Sequence, residues 1–141
     1  MKIYFGNEDV PYVLKHKRSI RSWLSQVIEQ ENKELGDITC VFCSDKYLLK
    51  LNYQYLHASY FTDVITFDYT KNGLLSGDVF ISIDRVKENA RQYKQPLFQE
   101  LLRVILHGIL HLCGYKDKTE EEIQQMREKE DYYLQKFSII D

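Results

Sequence analysis

By the positions of its apolar side chains, the chain alternates between short β-rich runs and longer stretches with the period of a helix. Residues 2–5 form the first short run and residues 16–33 an amphipathic helix. Asp37 to Cys43 are apolar and β-branched enough for a buried strand, with a helix after it through Leu56. Asp63–Phe67 and Asp78–Ile83 have strand character, and the turn-forming Lys71-Asn72-Gly73 between them sets the two side by side. Asp84 offers an N-cap for a helix to about Lys94, Pro96 opens another to Cys113, and Thr119 with Glu122 makes a capping box for the last helix. Four short strands and five helices without regular alternation predict an α+β fold, a small mixed four-stranded sheet covered by about five helices. With 141 residues and no repeat or linker, residues 1–141 read as a single domain able to bury its own core.

The helix from Pro96 to Cys113 is central to that arrangement. Leu97, Phe98, Leu101, Leu102, Ile105, Leu106, Ile109 and Leu112 cover well over half of its circumference. What remains is one narrow stripe of Glu100, Arg103, His107 and His111. Histidines four apart put both imidazoles on the same side of adjacent turns, within reach of one divalent ion. The alternative is a hydrogen-bonded pair at the edge of the core. Gly114 supplies a left-handed cap that turns the chain back and can bring Asp117 toward the same ion, with Glu120, Glu121 and His57 next in line as third ligand. Two imidazoles and one carboxylate leave a fourth position open, as catalytic rather than structural zinc sites do. Gly108 stands where zinc peptidases of the H-E-x-x-H type keep their general-base glutamate, which disfavours peptidase chemistry. Lacking a side chain, it lets a neighbouring strand or a substrate backbone approach the helix.

A content of 44% hydrophobic and 28% charged residues is that of an ordinary globular protein. The longest apolar stretch, residues 104–114, is too short to span a bilayer, and MKIYFGNEDV carries no signal-peptide core, so a cytoplasmic location without membrane contact is expected. Three cysteines leave at least one unpaired, in keeping with a reducing compartment. Cys40 and Cys43 fall in a strand, where an offset of three sends them to opposite faces, as two buried residues rather than a redox or zinc pair. A net charge of −2 gives no global signature of nucleic-acid binding, so any RNA contact is local. Candidates are Lys15, Lys17, Arg18 and Arg21 at the first helix, and Lys87, Arg91 and Lys94 on one face of the third.

The run His107 to Tyr115, HGILHLCGY, resembles the signature H-G-x-L-H-L-x-G-Y-D-H of the YbeY family, bacterial metal-dependent endoribonucleases of ribosomal RNA maturation. Leu51-Asn52 with Tyr55 is similar to the family's L-N-x-x-Y-R, Thr62 to Phe67 to its P-T-[ND]-V-L-S-F, and Gly77-Asp78-Val79 to its G-D-I strand. Three positions depart from the pattern: Asp117 replaces a third histidine, Lys116 the aspartate before it, and Leu56 the arginine after Tyr55. The resemblance implies a zinc-dependent, single-strand-specific endoribonuclease acting in ribosomal RNA maturation. One Zn²⁺ would be held by His107, His111 and Asp117, with His107, His111 and Arg103 as catalytic residues. Arg103 or His57 would take over the role of the missing arginine. Expected partners are ribosomal RNA, its precursors or the ribosomal subunit, and no DNA. A non-catalytic, metal-containing ribosome-assembly factor that binds RNA is the alternative, and a peptidase or small-molecule hydrolase stands third.

Overall fold

The computed structural model describes residues 1–57 and 62–140. The elements run β1 (Ile3–Asn7), α1 (Lys17–Gln30), β2 (Glu34–Cys43), α2 (Asp45–Leu56), β3 (Val64–Asp68), β4 (Leu74–Ser82), α3 (Ile83–Gln92), α4 (Leu97–Leu112) and α5 (Glu120–Leu134). The sheet has the order β1-β2-β4-β3, with β1, β2 and β4 parallel and β3 antiparallel to β4. It is the mixed four-stranded sheet of an α+β fold. Asn72 (φ 56°) and Gly73 (φ 77°) both sit in the left-handed region, the turn conformation that matches the twist of a tight hairpin, and so bring β3 and β4 together.

Strand alternation divides the core in two. Ile38, Cys40, Phe42, Val79 and Ile81 face α1 and α4, whereas Cys43 and Ile65 pack with Leu48 of α2 on the other side. Cys40 and Cys43 therefore lie on opposite faces, and burial pushes both thiols up to about 12. Three boundaries differ from the sequence pattern. β2 begins at Glu34 rather than Asp37, and β4 at Leu74 rather than Asp78, because Glu34 and Leu35 pair with Leu74 and Leu75 across a register shift. The cap of α3 is Ser82, not Asp84: the Ser82 hydroxyl accepts from the Arg85 N–H at 3.1 Å. Asp84 lies within the first turn and accepts from the Asp45 N–H at the start of α2 (2.9 Å). Thr119 and Glu122 form the expected capping box of α5.

Helix α4 approaches the sheet closely at two glycines. A Cβ on Gly108 would lie 2.5 Å from Val79 Cγ1, and one on Gly77 would lie 2.9 Å from Leu112 Cδ2 and 2.4 Å from the Phe67 carbonyl oxygen. A strand is what Gly108 admits, not a substrate backbone. Helix α5 is fastened to α1 by the Trp23 indole, which donates to the Tyr133 carbonyl at 2.8 Å. Glu31, at the end of α1, accepts from the Tyr115 hydroxyl (2.6 Å), Lys129 Nζ (3.3 Å) and the Tyr133 hydroxyl. One carboxylate thus ties the turn after α4 and the body of α5 to α1. Among the described residues, no helix is long and apolar enough to cross a membrane.

Candidate metal centre

The stripe on α4 and the turn that follows it converge. Gly114 (φ 109°) ends the helix by reversing the chain, and the Asp117 carboxylate returns to the two imidazoles. His107 Nε2 lies 3.0 Å from His111 Nε2 and 3.1 Å from Asp117 Oδ2, and His111 Nε2 lies 3.3 Å from the same oxygen. Ligands held tetrahedrally at about 2.0–2.1 Å from a zinc-sized ion are separated by about 3.3 Å, so the triangle has the size such an ion needs. Among the described residues this is the one group of three histidine, cysteine or carboxylate side chains that could hold a metal ion.

The outward nitrogens decide the protonation of the inward ones. His107 Nδ1 is 2.6 Å from Glu130 Oε2, and His111 Nδ1 is 2.9 Å from the Tyr115 carbonyl oxygen. A carbonyl and a carboxylate can only accept, so each Nδ1 carries its proton, and a neutral ring then points a bare Nε2 lone pair inward. Asp117 adds a third acceptor. Three acceptors facing one another repel unless a proton or a metal cation lies between them. The carboxylate–histidine contact is also the usual device by which proteins orient a metal-binding imidazole.

Burial works against a charge on His107, but the Glu130 hydrogen bond and charge outweigh it and raise its affinity for a proton. Glu130 is itself buried, which would raise its carboxyl, yet hydrogen bonds from His107 and Arg103 hold it below the ordinary glutamate range. Arg103 donates from Nη1 to Glu130 (2.8 Å) and from Nη2 to Asp131 (2.8 Å). It lines the cleft beside His107 with both ends of its guanidinium engaged.

That cleft, of about 330 Å³, opens on His107 and Asp117 and is lined further in by Asp63, Asn89, Glu100 and Val104, with Met126 and Arg127 from α5. Burial first of all pushes the Asp63 and Glu100 carboxyls above their ordinary values. The remaining candidates lie elsewhere. His57 is exposed at the C-cap of α2, Leu56 is exposed beside it, and Glu120 and Glu121 are exposed at the start of α5. Arg21 Nε donates to the Ile3 carbonyl at 2.8 Å, and Arg91 is paired with Glu88. Sequence patterns alone did not point to Glu130 or the Tyr115 carbonyl. A signal for Glu130 existed, since Met126, Glu130 and Tyr133 form the buried stripe of α5, and an acid inside such a stripe needs a partner.

The family model described as Endoribonuclease YbeY matches residues 5–138. A relative of that name from Christiangramia forsetii is 45% identical over 136 residues, covering 96% of this chain and 94% of the relative. Another from Cytophaga hutchinsonii is 47% identical over 133 residues, covering 94% and 93%. A Thermotoga maritima protein solved in solution superposes with a TM-score of 0.68 at 26% identity, over 96% of this chain and 88% of that one.

Proposed function

The chain belongs to the YbeY endoribonuclease family, and from that premise we propose that it is a zinc-dependent endoribonuclease that cuts single-stranded segments of ribosomal RNA or its precursors. One observation carries the metal dependence: both imidazoles are locked by outward partners so that bare nitrogens meet the Asp117 carboxylate at the spacing of a zinc site.

His107, His111 and Asp117 would hold the ion. When bound, zinc supplies Lewis-acid polarisation of a phosphodiester and lowers the pKa of water. The rest is done by the chain. Glu130 and the Tyr115 carbonyl fix the tautomer and tilt of the two rings. Arg103 acts through Glu130, keeping that carboxylate ionised and directed at His107. Arg127, exposed on the cleft wall and in no ion pair among the described residues, is placed to meet backbone phosphates. Arg103, engaged by Glu130 and Asp131, and His57, outside the cleft lining, leave to Arg127 the role expected of them in place of the missing arginine. The site so built works in the cytoplasm on RNA, with no DNA substrate.

Purified protein is assayed for metal content and for cleavage of a ribosomal RNA fragment with a single-stranded segment, before and after chelation. Loss of cleavage on chelation and its return with Zn²⁺ is the expected result. Cleavage that survives complete metal removal refutes the reading, and metal-dependent RNA binding without cleavage would replace it with the assembly-factor role.

A further inference from the structure

Glu100 has no role in the metal centre. It sits on α4 seven residues before His107, which places it about 10 Å along the helix axis from that ring. The residue is 5% exposed and lines the inner part of the cleft, yet among the described residues its carboxyl has no hydrogen-bond or ion-pair partner. Its oxygens are not sealed in the core but border the cleft, where a ligand that donates to them would complete the pairing. Its neighbours Asp63 and Asn89 offer further acceptors, while the charges of Arg103 and Arg127 in the same lining favour its ionised form. Asn89 Nδ2 donates to Asp63 Oδ2 at 3.2 Å, which leaves the other Asp63 oxygen and the amide carbonyl of Asn89. Val104 and Met126 make the wall between them apolar. A second metal ion is not what this end of the cleft is shaped for, since no further three-ligand group exists among the described residues.

We infer that the Glu100 end of the cleft is a nucleobase subsite that takes guanine. This rests on the reading of the His107, His111 and Asp117 centre as the place where a phosphodiester is held. The span from that centre to Glu100 is comparable to the reach from a phosphate to the far edge of its base. The lining offers the Glu100 carboxylate beside apolar Val104 and Met126, with the Arg127 guanidinium in the same cleft, which fits a flat ring that carries two adjacent donors next to an acceptor. Guanine presents two adjacent donors, N1–H and the N2 amino group, to one carboxylate in the parallel arrangement that satisfies both oxygens. Uracil offers the carboxylate a single donor, N3–H, set between two carbonyl groups, and so binds it less tightly. Tyr93, exposed at the rim, supplies a face for stacking.

The zinc-loaded protein is titrated with guanosine, inosine and uridine 5′-monophosphates and with ribose 5-phosphate. Guanosine monophosphate is expected to bind about tenfold or more tightly than uridine monophosphate, and more tightly than inosine monophosphate, which lacks only the amino group. Glu100→Gln keeps the shape and the zinc content but loses the preference. Equal binding of all four, or a Glu100→Gln variant that discriminates like the parent, overturns the inference. The guanosine–inosine comparison needs no variant, so a poorly folding Glu100→Gln leaves the test intact. RNA cleavage measured on the same preparation separates the two readings. Cleavage without base preference removes only the subsite, whereas a Glu100-dependent preference in a protein that cuts no RNA removes the nuclease reading.

Discussion

Replacing Glu130 tests whether the imidazoles are set from outside. The side chain is 5% exposed and takes two charge-assisted hydrogen bonds, from Arg103 at 2.8 Å and His107 at 2.6 Å. Glu130→Gln keeps the volume but has one accepting oxygen, so either Arg103 or His107 faces an amide N–H instead of an acceptor. Arg103 retains Asp131, and His107 loses the partner that holds its proton on Nδ1. With the proton free to move to Nε2, a fraction of the rings can no longer ligate. Outer partners of this type are worth about 10- to 100-fold in metal affinity, or about 1.4–2.7 kcal/mol. Glu130→Ala should add a loss of roughly 1–3 kcal/mol in folding stability, because the Arg103 donor and the His107 N–H are both left without it. Competition for zinc against a chromophoric chelator measures the first effect and thermal unfolding the second. Asp131→Asn, an exposed change touching Arg103 alone, is the control and should leave zinc affinity within about twofold. A Glu130→Gln protein that binds zinc as tightly as the parent would refute the reasoning.

Asp117→His should retain zinc and Asp117→Ala should weaken it by about 100-fold or more, since one substitution supplies a ligand and the other removes it; metal content after dialysis reads both. Gly108→Ala should destabilise by roughly 1–3 kcal/mol, because the added methyl meets Val79 Cγ1 at 2.5 Å, and an unchanged melting temperature would contradict that packing. Burial pushes Glu31 up, but hydrogen bonds from Tyr115, Tyr133 and Lys129 outweigh it and hold the carboxyl below its ordinary 4.5. A lowered carboxyl stabilises the fold above that ordinary value and loses its contribution as pH falls through the folded one. Glu31→Gln should therefore flatten the loss of stability below about pH 4.5, and parallel acid-unfolding curves for the two proteins would count against it.

How much of this could be read from the chain depended on whether the signal was local. The hairpin at Asn72-Gly73, the capping box at Thr119, the opposite faces of Cys40 and Cys43 and the histidine stripe of α4 are each fixed within a few residues, and the structure has all of them. Asp117 was reachable because Gly114 breaks the helix within its own turn. The helix α3 cap was misread because Asp84 and Ser82 are both good caps and the choice depends on Asp45, distant in the chain. Glu130 and Glu31 were not legible for the same reason. Their partners lie 23 and 84 residues away, and only the packing of α5 on α1 and α4 brings them together.

Asp117, in place of a histidine, bears on the charge of the cleft. Its lining carries four carboxyls, Asp63, Glu100, Asp117 and Glu130, against the guanidiniums of Arg103 and Arg127. A histidine at position 117 would remove one negative charge. With Asp117 there the formal charge of the lining is −2, which a divalent ion would bring to neutral. A phosphodiester would then be drawn into the cleft by a bound ion together with Arg127, while the exposed basic residues of α1 and α3 lie outside the lining. Docking of RNA at the cleft and its cleavage there should share one metal requirement, whereas metal-dependent docking with no cleavage at any metal concentration would belong to an assembly factor.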